Sequence, residues 1–212
     1  MNRHRDPASR RSYHHGNLRE ALIQAALKLI AERGTDGVTL SEAARMAGVS
    51  PAAPYRHFKD RGNLMSAVAL HGFTDFANSL EKAWDNGAGS PLQAFNRIGV
   101  AYLDFARRKP AFYAAMFDSG INQGNDAELS REGDRAFGVL RDAAAAMHAT
   151  LPADRRAPPL MIALHIWSLS HGIASLFLRG DNARRNLPVS PEELLESGIL
   201  IYLSGLGLHS AD

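Results

Sequence analysis

Two helix starts lie close together in residues 39–58, and this spacing constrains the fold more than any other feature of the chain. Thr39-Leu40-Ser41-Glu42 is a capping box, in which the threonine hydroxyl accepts from the glutamate amide and the glutamate carboxylate reaches back. Ser50-Pro51 is a second start, because serine is a preferred N-cap and proline suits the first helical turn. Gly48 permits the positive φ of a tight turn. The segment predicts a helix that stops at Gly48, a turn, and a short second helix that ends near Phe58.

The remainder of the chain has helical periodicity and no sustained alternation of apolar and polar residues. A first helix is predicted from residue 16 or 17 to Gly34, and later helices start at Ser90-Pro91, Pro110, residue 126, Pro159 and Ser190-Pro191. The sequence therefore predicts an all-α fold, with an N-terminal three-helix helix-turn-helix domain and a C-terminal helical bundle. The predicted division is a basic arm over residues 1–15, the helix-turn-helix domain over 16–62 and the bundle over 63–212.

Positive charge is concentrated near the N-terminus. Residues 1–62 contain 11 Lys and Arg against 6 Asp and Glu, whereas the remainder contains 13 against 16. A basic N-terminal third indicates a polyanionic partner for that part of the chain. Chance alone also produces segments of this charge, so the asymmetry gains weight only together with a motif.

The predicted second helix carries the chemistry that such a partner needs. It begins with small residues, which allow close approach, and continues with Tyr55, Arg56, His57 and Lys59, which offer groups for phosphates or base edges. The alternative is a helical hairpin within a core, but a core hairpin does not collect so many polar side chains in a few positions. We therefore predict that this segment binds DNA as a recognition helix.

Residues 17–64 resemble the DNA-binding domain of the TetR/AcrR family of bacterial repressors. The matching stretches are AALKLIAERG and VTLSEAARMAGVSPAAPYRHFKDRGNL. The family signature is a capped second helix, a Gly-Val-Ser turn, and a Tyr-x-His-Phe ending followed by a basic residue and a leucine. Here these are Thr39, Gly48-Val49-Ser50, Tyr55-Arg56-His57-Phe58, Arg61 and Leu64.

The resemblance implies a DNA contact role for individual residues. Phosphate contacts are implied for Thr39, Tyr55, His57 and Arg61, and base-edge or near-base positions for Ala52, Ala53 and Arg56. From their own chemistry, Ser50, Pro51 and Lys59 are also predicted to contact DNA. Arg11 and Tyr13 of the arm are also predicted to touch DNA, whereas residues 1–9 can equally be a tail without a role.

Two residues depart from the family pattern. Arg61 stands where the family usually has lysine, which keeps the charge but changes the hydrogen-bond geometry. Pro54 stands where the family usually has an aliphatic residue, and it removes one backbone donor. An irregular start of the recognition helix is expected, and the contacts of Ala52 and Ala53 depend on it.

The C-terminal part is predicted to sense a ligand and to dimerise. Trp167 to Gly172 resembles the Trp-x-x-x-His-Gly signature of a C-terminal subgroup of the family. An effector pocket is predicted from Tyr102, Phe105, Phe112, Met116, Trp167 and His171, the alternative being an ordinary core with a satisfied histidine. The family likeness and the wide apolar set of the final helix predict a homodimer through the last two helices.

Composition excludes several other classes. The chain has no cysteine, which removes disulfides, thiolate metal sites and cysteine nucleophiles. The first 20 residues are basic and lack the apolar segment of a secretory signal, so a cytoplasmic location is expected. Residues 159–178 are long and apolar enough to span a membrane, but two histidines and three serines favour a buried bundle helix and no membrane partner.

An all-helical enzyme is the remaining alternative. A di-iron site needs Glu-x-x-His pairs, and none occurs, nor do the His-Glu-x-x-His, Walker, Gly-x-Ser-x-Gly and Gly-x-Gly-x-x-Gly patterns. No catalytic residue, cofactor or metal is predicted. We expect a ligand-responsive repressor that binds a palindromic operator as a dimer and is released by a small, largely apolar effector, with a regulator that has no ligand as the alternative.

Overall fold

This computed structural model of the protein describes residues 18–122, 124, 126–178 and 188–207, which form α-helices and short 3₁₀ helices without a strand. The α-helices are α1 (Leu18–Arg33), α2 (Leu40–Met46), α3 (Arg61–Trp84), α4 (Pro91–Arg108), α5 (Pro110–Phe117), α6 (Ala127–Thr150), α7 (Pro159–Leu178) and α8 (Pro191–Gly205). The predicted all-α fold is confirmed.

The described residues form two compact units. One contains residues 18–71 together with 111–126, and the other contains residues 72–110 together with 127–207. Helix α3 therefore contributes its first half to one unit and its second half to the other. The sequence indicated no reason to join α5 and the loop after it to the helix-turn-helix, and the predicted boundary after residue 62 stays a prediction.

The turn after α2 has the predicted form. Gly48 has a φ of 70°, and its amide donates to the Arg45 carbonyl at 3.2 Å. The next amide, of Val49, donates to the Ala44 carbonyl at 3.0 Å. This pair of bonds is a Schellman motif, which satisfies the last carbonyls of the helix and requires a left-handed residue at the glycine position.

The predicted second helix of the pair is not an α-helix, and this prediction was wrong. After Ser50 the chain forms a turn and then a 3₁₀ helix, Pro54–Arg56. The Ala53 amide donates to the Ser50 carbonyl at 3.0 Å, three residues back. In an α-helix that carbonyl would accept from residue 54, but proline has no N–H to donate. We call residues 50–58 the recognition segment.

The second unit is a bundle whose helices begin at the predicted residues. The Ser90 hydroxyl accepts from the Gln93 amide at 3.2 Å, and the Gln93 side chain accepts from the Ser90 amide at 3.1 Å. Ser190 and Glu193 form the same reciprocal pair at 3.1 and 2.8 Å. Each pair satisfies two amides that the helix itself leaves unbonded, which fixes the start of α4 and of α8.

Helix α7 was ambiguous in the sequence. By length and composition alone its residues Pro159–Phe177 can cross a membrane, and 33% of this window is buried within the protein. The helix packs against α4, α6 and α8. These contacts are those of a bundle helix, and they leave part of its apolar surface exposed.

Replacing Gly48 by alanine tests the turn. A Cβ there would meet no atom within 4 Å, so the penalty comes only from the left-handed backbone, which costs about 1 kcal/mol in a residue other than glycine. We expect Gly48→Ala to lower the free energy of unfolding in urea by about that amount. Gly138→Ala, within α6, is the matched control and is expected to stabilise, because alanine is the better helix former. Equal effects of the two substitutions would contradict this account.

Candidate functional site

The recognition segment is anchored by two buried rings. Pro54 is buried, and Phe58 is only 1% exposed. The guanidinium of Arg19, from α1, lies over the Phe58 ring at 5.5 Å from its centroid, which is a cation–π distance. The 3₁₀ helix between the two rings packs against α1 and α2. Burial of these rings turns the remaining side chains of the segment outward.

The predicted DNA-binding side chains of this segment lie on its outer face. Tyr55 is 61% exposed although it is aromatic. Ala53 is half-buried, and the other predicted residues of the segment are exposed, namely Ser50, Pro51, Ala52, Arg56 and His57. Lys59, directly after the segment, is also exposed. A hydroxyl, a guanidinium, an imidazole and an ammonium group are thus displayed within five positions.

Thr39 begins α2 with the predicted cap. Its Oγ1 accepts from the Glu42 amide at 3.1 Å, and the residue is exposed. Since the oxygen acts as acceptor, its hydroxyl proton remains for an acceptor outside the protein. The cap therefore fixes the position of a surface donor.

The second half of the predicted capping box does not form. The Glu42 carboxylate instead accepts from Arg45 at 2.7 Å and from Arg33 at 3.2 Å. The hydrogen bond from Arg45 lowers the pKa of Glu42. Two guanidinium groups compete successfully with the single amide of Thr39 because their bonds to a carboxylate are charge-assisted.

Arg61, predicted as a phosphate contact, lies half-buried at the start of α3. Its Nε donates to the Val38 carbonyl at 3.0 Å, and its Nη2 donates to the Thr35 carbonyl at 2.8 Å. Both acceptors belong to the backbone that leads into Thr39. The remaining predicted DNA contacts, Arg11 and Tyr13, lie outside the described residues.

Aromatic side chains form a continuous row in the second unit. The Phe76 ring lies 4.9 Å from Phe105 and 5.0 Å from Tyr102, measured between centroids. The Trp167 ring lies 6.2 Å from His171 and 5.9 Å from Phe137. A hydrogen bond joins the two groups of rings, because Tyr102 Oη lies 3.2 Å from His171 Nδ1.

The structure thus brings together four of the six predicted pocket residues, and Phe112 and Met116 belong to the other compact unit. Sequence reasoning did not single out Phe76 or Phe137 for this site. Both were recognisable only as aromatic residues at helical positions, and their neighbours are set by packing.

The row contains one titratable pair with unequal solvent access. Tyr102 is 1% exposed and His171 is half-buried. Burial lowers the pKa of His171, because the charged imidazolium loses solvation there. His171 is therefore neutral at pH 7 and offers one ring nitrogen as donor and the other as acceptor. The described residues contain no group of three or more His, Asp or Glu side chains arranged to hold a metal ion.

Comparison with known proteins gives two family matches. Residues 22–68 match the family described as bacterial regulatory proteins, tetR family, and residues 95–201 match the family described as Tetracyclin repressor-like, C-terminal domain. The second match alone covers half of the chain. This protein belongs to the TetR family. The Trp-x-x-x-His-Gly subgroup is not confirmed and stays a prediction.

Individual relatives of this TetR-family protein resemble it over different lengths. The HTH-type transcriptional regulator BetI of Rhizobium meliloti is 49% identical over 50 residues, which is 24% of this chain and 25% of BetI. The HTH-type transcriptional regulator YobS of Bacillus subtilis, described as uncharacterized, is 23% identical over 90% of this chain and 93% of its own. The chain thus spans about a quarter of BetI and nearly all of YobS.

A solved structure shares the fold of both units. It is a protein of unknown function from Rhodococcus sp. RHA1, 27% identical, with a TM-score of 0.75 over 92% of this chain and 98% of the other. The likeness extends over nearly the whole length of both chains.

The half-buried His171 is expected to give this TetR-family protein a pH-dependent stability. In the unfolded chain His171 takes up a proton near its ordinary pKa of 6.5, whereas the folded protein resists protonation. We expect the free energy of unfolding to fall as the pH drops below about 6.5, and to fall less steeply in His171→Asn. The measurement is urea denaturation between pH 8 and pH 5, with His57→Asn, at an exposed histidine, as the matched control. Equal slopes for wild type and His171→Asn would contradict it.

Proposed function

We propose that this protein binds a palindromic DNA operator as a homodimer and is released from it by a small, largely apolar effector. One observation carries the DNA-binding part. The recognition segment buries Pro54 and Phe58 and exposes Tyr55, Arg56 and His57, which is the arrangement of a surface that meets a polyanion. A repressor acting on DNA in the cytoplasm is the function that best fits this surface and the family.

Within that surface we assign separate roles to the exposed groups. Thr39, Tyr55 and His57 donate hydrogen bonds to phosphates, which set the register of the protein on the duplex. We assign Arg56 to base edges, since a guanidinium can donate two hydrogen bonds to guanine. The small side chains of Ser50, Pro51, Ala52 and Ala53 allow close approach, and Lys59 adds charge at the edge of the surface.

The effector site is proposed at the aromatic row of the second unit. Tyr102, Phe105, Trp167 and His171 supply apolar faces, with the tyrosine hydroxyl and the neutral imidazole as the polar groups. Phe112 and Met116, which were also predicted from the sequence, belong to the other compact unit and are not assigned to this site. A site of this composition suits a largely apolar molecule with one or two hydrogen-bonding groups. Its binding loosens the DNA complex if the ligand prefers a conformation in which the two recognition segments are differently spaced.

The dimer is proposed through α7 and α8. Eight large apolar side chains are exposed in the described part of the chain, and five of them lie on these two helices, namely Leu160, Met161, Leu176, Leu200 and Ile201. Exposed apolar surface concentrated on adjoining helices is typical of a protein interface. The His165 Nδ1 and Tyr202 Oη atoms pair at 2.9 Å across the same helices, and such polar groups favour a protein partner over lipid.

Selection of bound DNA from a random pool tests the proposed function. The full chain is expected to enrich a palindrome whose half-sites are about 34 Å apart or at a related helical repeat. Arg56→Ala is expected to weaken binding about fivefold to 150-fold and to relax the preference at the base pair it reads. Lys28→Ala, at an exposed position of α1, is the matched control. Failure of the wild-type chain to enrich any sequence would exclude the proposal.

Replacing Ile201, which is 72% exposed, tests the dimer. Ile201→Asp places a charge in the proposed interface, and we expect a monomer by light scattering that binds a full palindrome no more tightly than a half-site control. The free energy of unfolding of the monomer should change little, because the residue is on the surface. Val100→Asp, at a 52% exposed valine of α4, is the matched control and is expected to stay dimeric. An unchanged mass for Ile201→Asp would count against this interface.

A further inference from the structure

The guanidinium of Arg61 is directed toward the protein backbone. Its two bonds, 3.0 Å to the Val38 carbonyl and 2.8 Å to the Thr35 carbonyl, connect the first residue of α3 to the turn before α2. A planar guanidinium can reach two acceptors at once because its N–H groups form a fixed fork. The ammonium of a lysine, the residue that the family resemblance leads us to expect here, is a single point and does not reproduce that fork.

The turn that Arg61 holds determines where Thr39 lies. Residues Thr35–Gly37 form a 3₁₀ helix, and the Val38 amide donates back to the Thr35 carbonyl at 3.2 Å. Val38 is fully buried and extended, and the next residue, Thr39, is the exposed N-cap of α2. Arg61 therefore bonds the first and the last carbonyl of the turn, immediately before the cap.

The same turn is held from a second direction. The Thr35 hydroxyl donates to the Asp118 carbonyl at 3.3 Å, just beyond the end of α5 and within the same compact unit. Arg61 bonds the carbonyls of Thr35 and Val38, and the Thr35 hydroxyl is bonded as well. The backbone leading into Thr39 therefore has little freedom to shift.

We propose that Arg61 is a positioning residue, which holds the Thr39 hydroxyl at the DNA phosphate instead of binding a phosphate itself. This inference rests on the proposed DNA-binding function. It differs from the role implied by the family resemblance, in which the basic residue here supplies charge to the backbone of the duplex. The two roles lead to different salt dependences, because only a phosphate-bound cation releases a counterion from DNA.

Arg61→Lys separates the two roles, since it keeps the charge and removes the fork. The full chain and the duplex that it selects are used, with affinity measured over a range of salt concentrations. We expect Arg61→Lys to bind about fivefold to tenfold more weakly with the same salt slope. In a Thr39→Val background the same change should matter less than about twofold, because the hydroxyl that it positions is gone.

Two outcomes of these binding measurements would overturn the proposal. In the first, Arg61→Lys binds DNA as tightly as the wild type, and Arg61→Gln reduces the salt slope by about 0.9. This pair of results would make Arg61 a phosphate ligand. The other is an equal loss in the presence and absence of the Thr39 hydroxyl, which would show that Arg61 acts elsewhere.

Amide hydrogen exchange gives a readout that needs no DNA. The Glu42 amide is bonded to Thr39 Oγ1, so loosening of the cap should speed its exchange about fivefold in Arg61→Lys. The Gln93 amide, bonded to Ser90 Oγ, is the internal control and should be unchanged. If the wild-type chain selects no DNA, this experiment still decides whether Arg61 holds Thr39. An unchanged exchange rate of the Glu42 amide in Arg61→Lys would reject the positioning role.

Discussion

Burial of Pro54 and Phe58 is the interaction on which the outward surface of the first unit depends. The segment between α2 and α3 is short and has no α-helix of its own, so its own backbone bonds contribute little rigidity. A fully buried phenylalanine contributes about 1.5–3 kcal/mol, which is more than the roughly 0.5–1.5 kcal/mol of any one hydrogen bond in the turn. The position of every exposed side chain in the segment therefore follows from these two rings.

The helices that begin with a cap could be predicted from sequence, and the segment between α2 and α3 could not. A capping serine followed by proline acts through neighbouring residues only, so Ser90 and Ser190 start their helices as expected. In the recognition segment one residue decides the outcome. Pro54 lacks the donor that would continue an α-helix, and its burial stabilises the 3₁₀ turn instead.

The candidate site was likewise predictable only in part from the sequence. The exposed residues of the recognition segment were predictable because polar side chains are clustered there in the sequence. The direction of Arg61 was not, because a long basic side chain can satisfy either a carbonyl or a phosphate, and only the tertiary structure brings the carbonyls of residues 35 and 38 within reach. Phe76 and Phe137 join the aromatic row for the same reason, since their partners come from distant parts of the chain.

In the proposed DNA complex, the 3₁₀ turn also limits how much sequence information one subunit of the dimer can read. Three residues per turn place residues 53 and 56 on one face, so a single long side chain, that of Arg56, stands on that face. One well-placed arginine discriminates by about 1–3 kcal/mol, whereas a genome offers about 10⁶ to 10⁹ competing sites. To distinguish one operator from so many competing sites, the proposed dimer needs contributions from two half-sites and from the shape of the DNA between them. The proposed dimer would therefore accept changes within each half-site more readily than a change in the distance between the two half-sites.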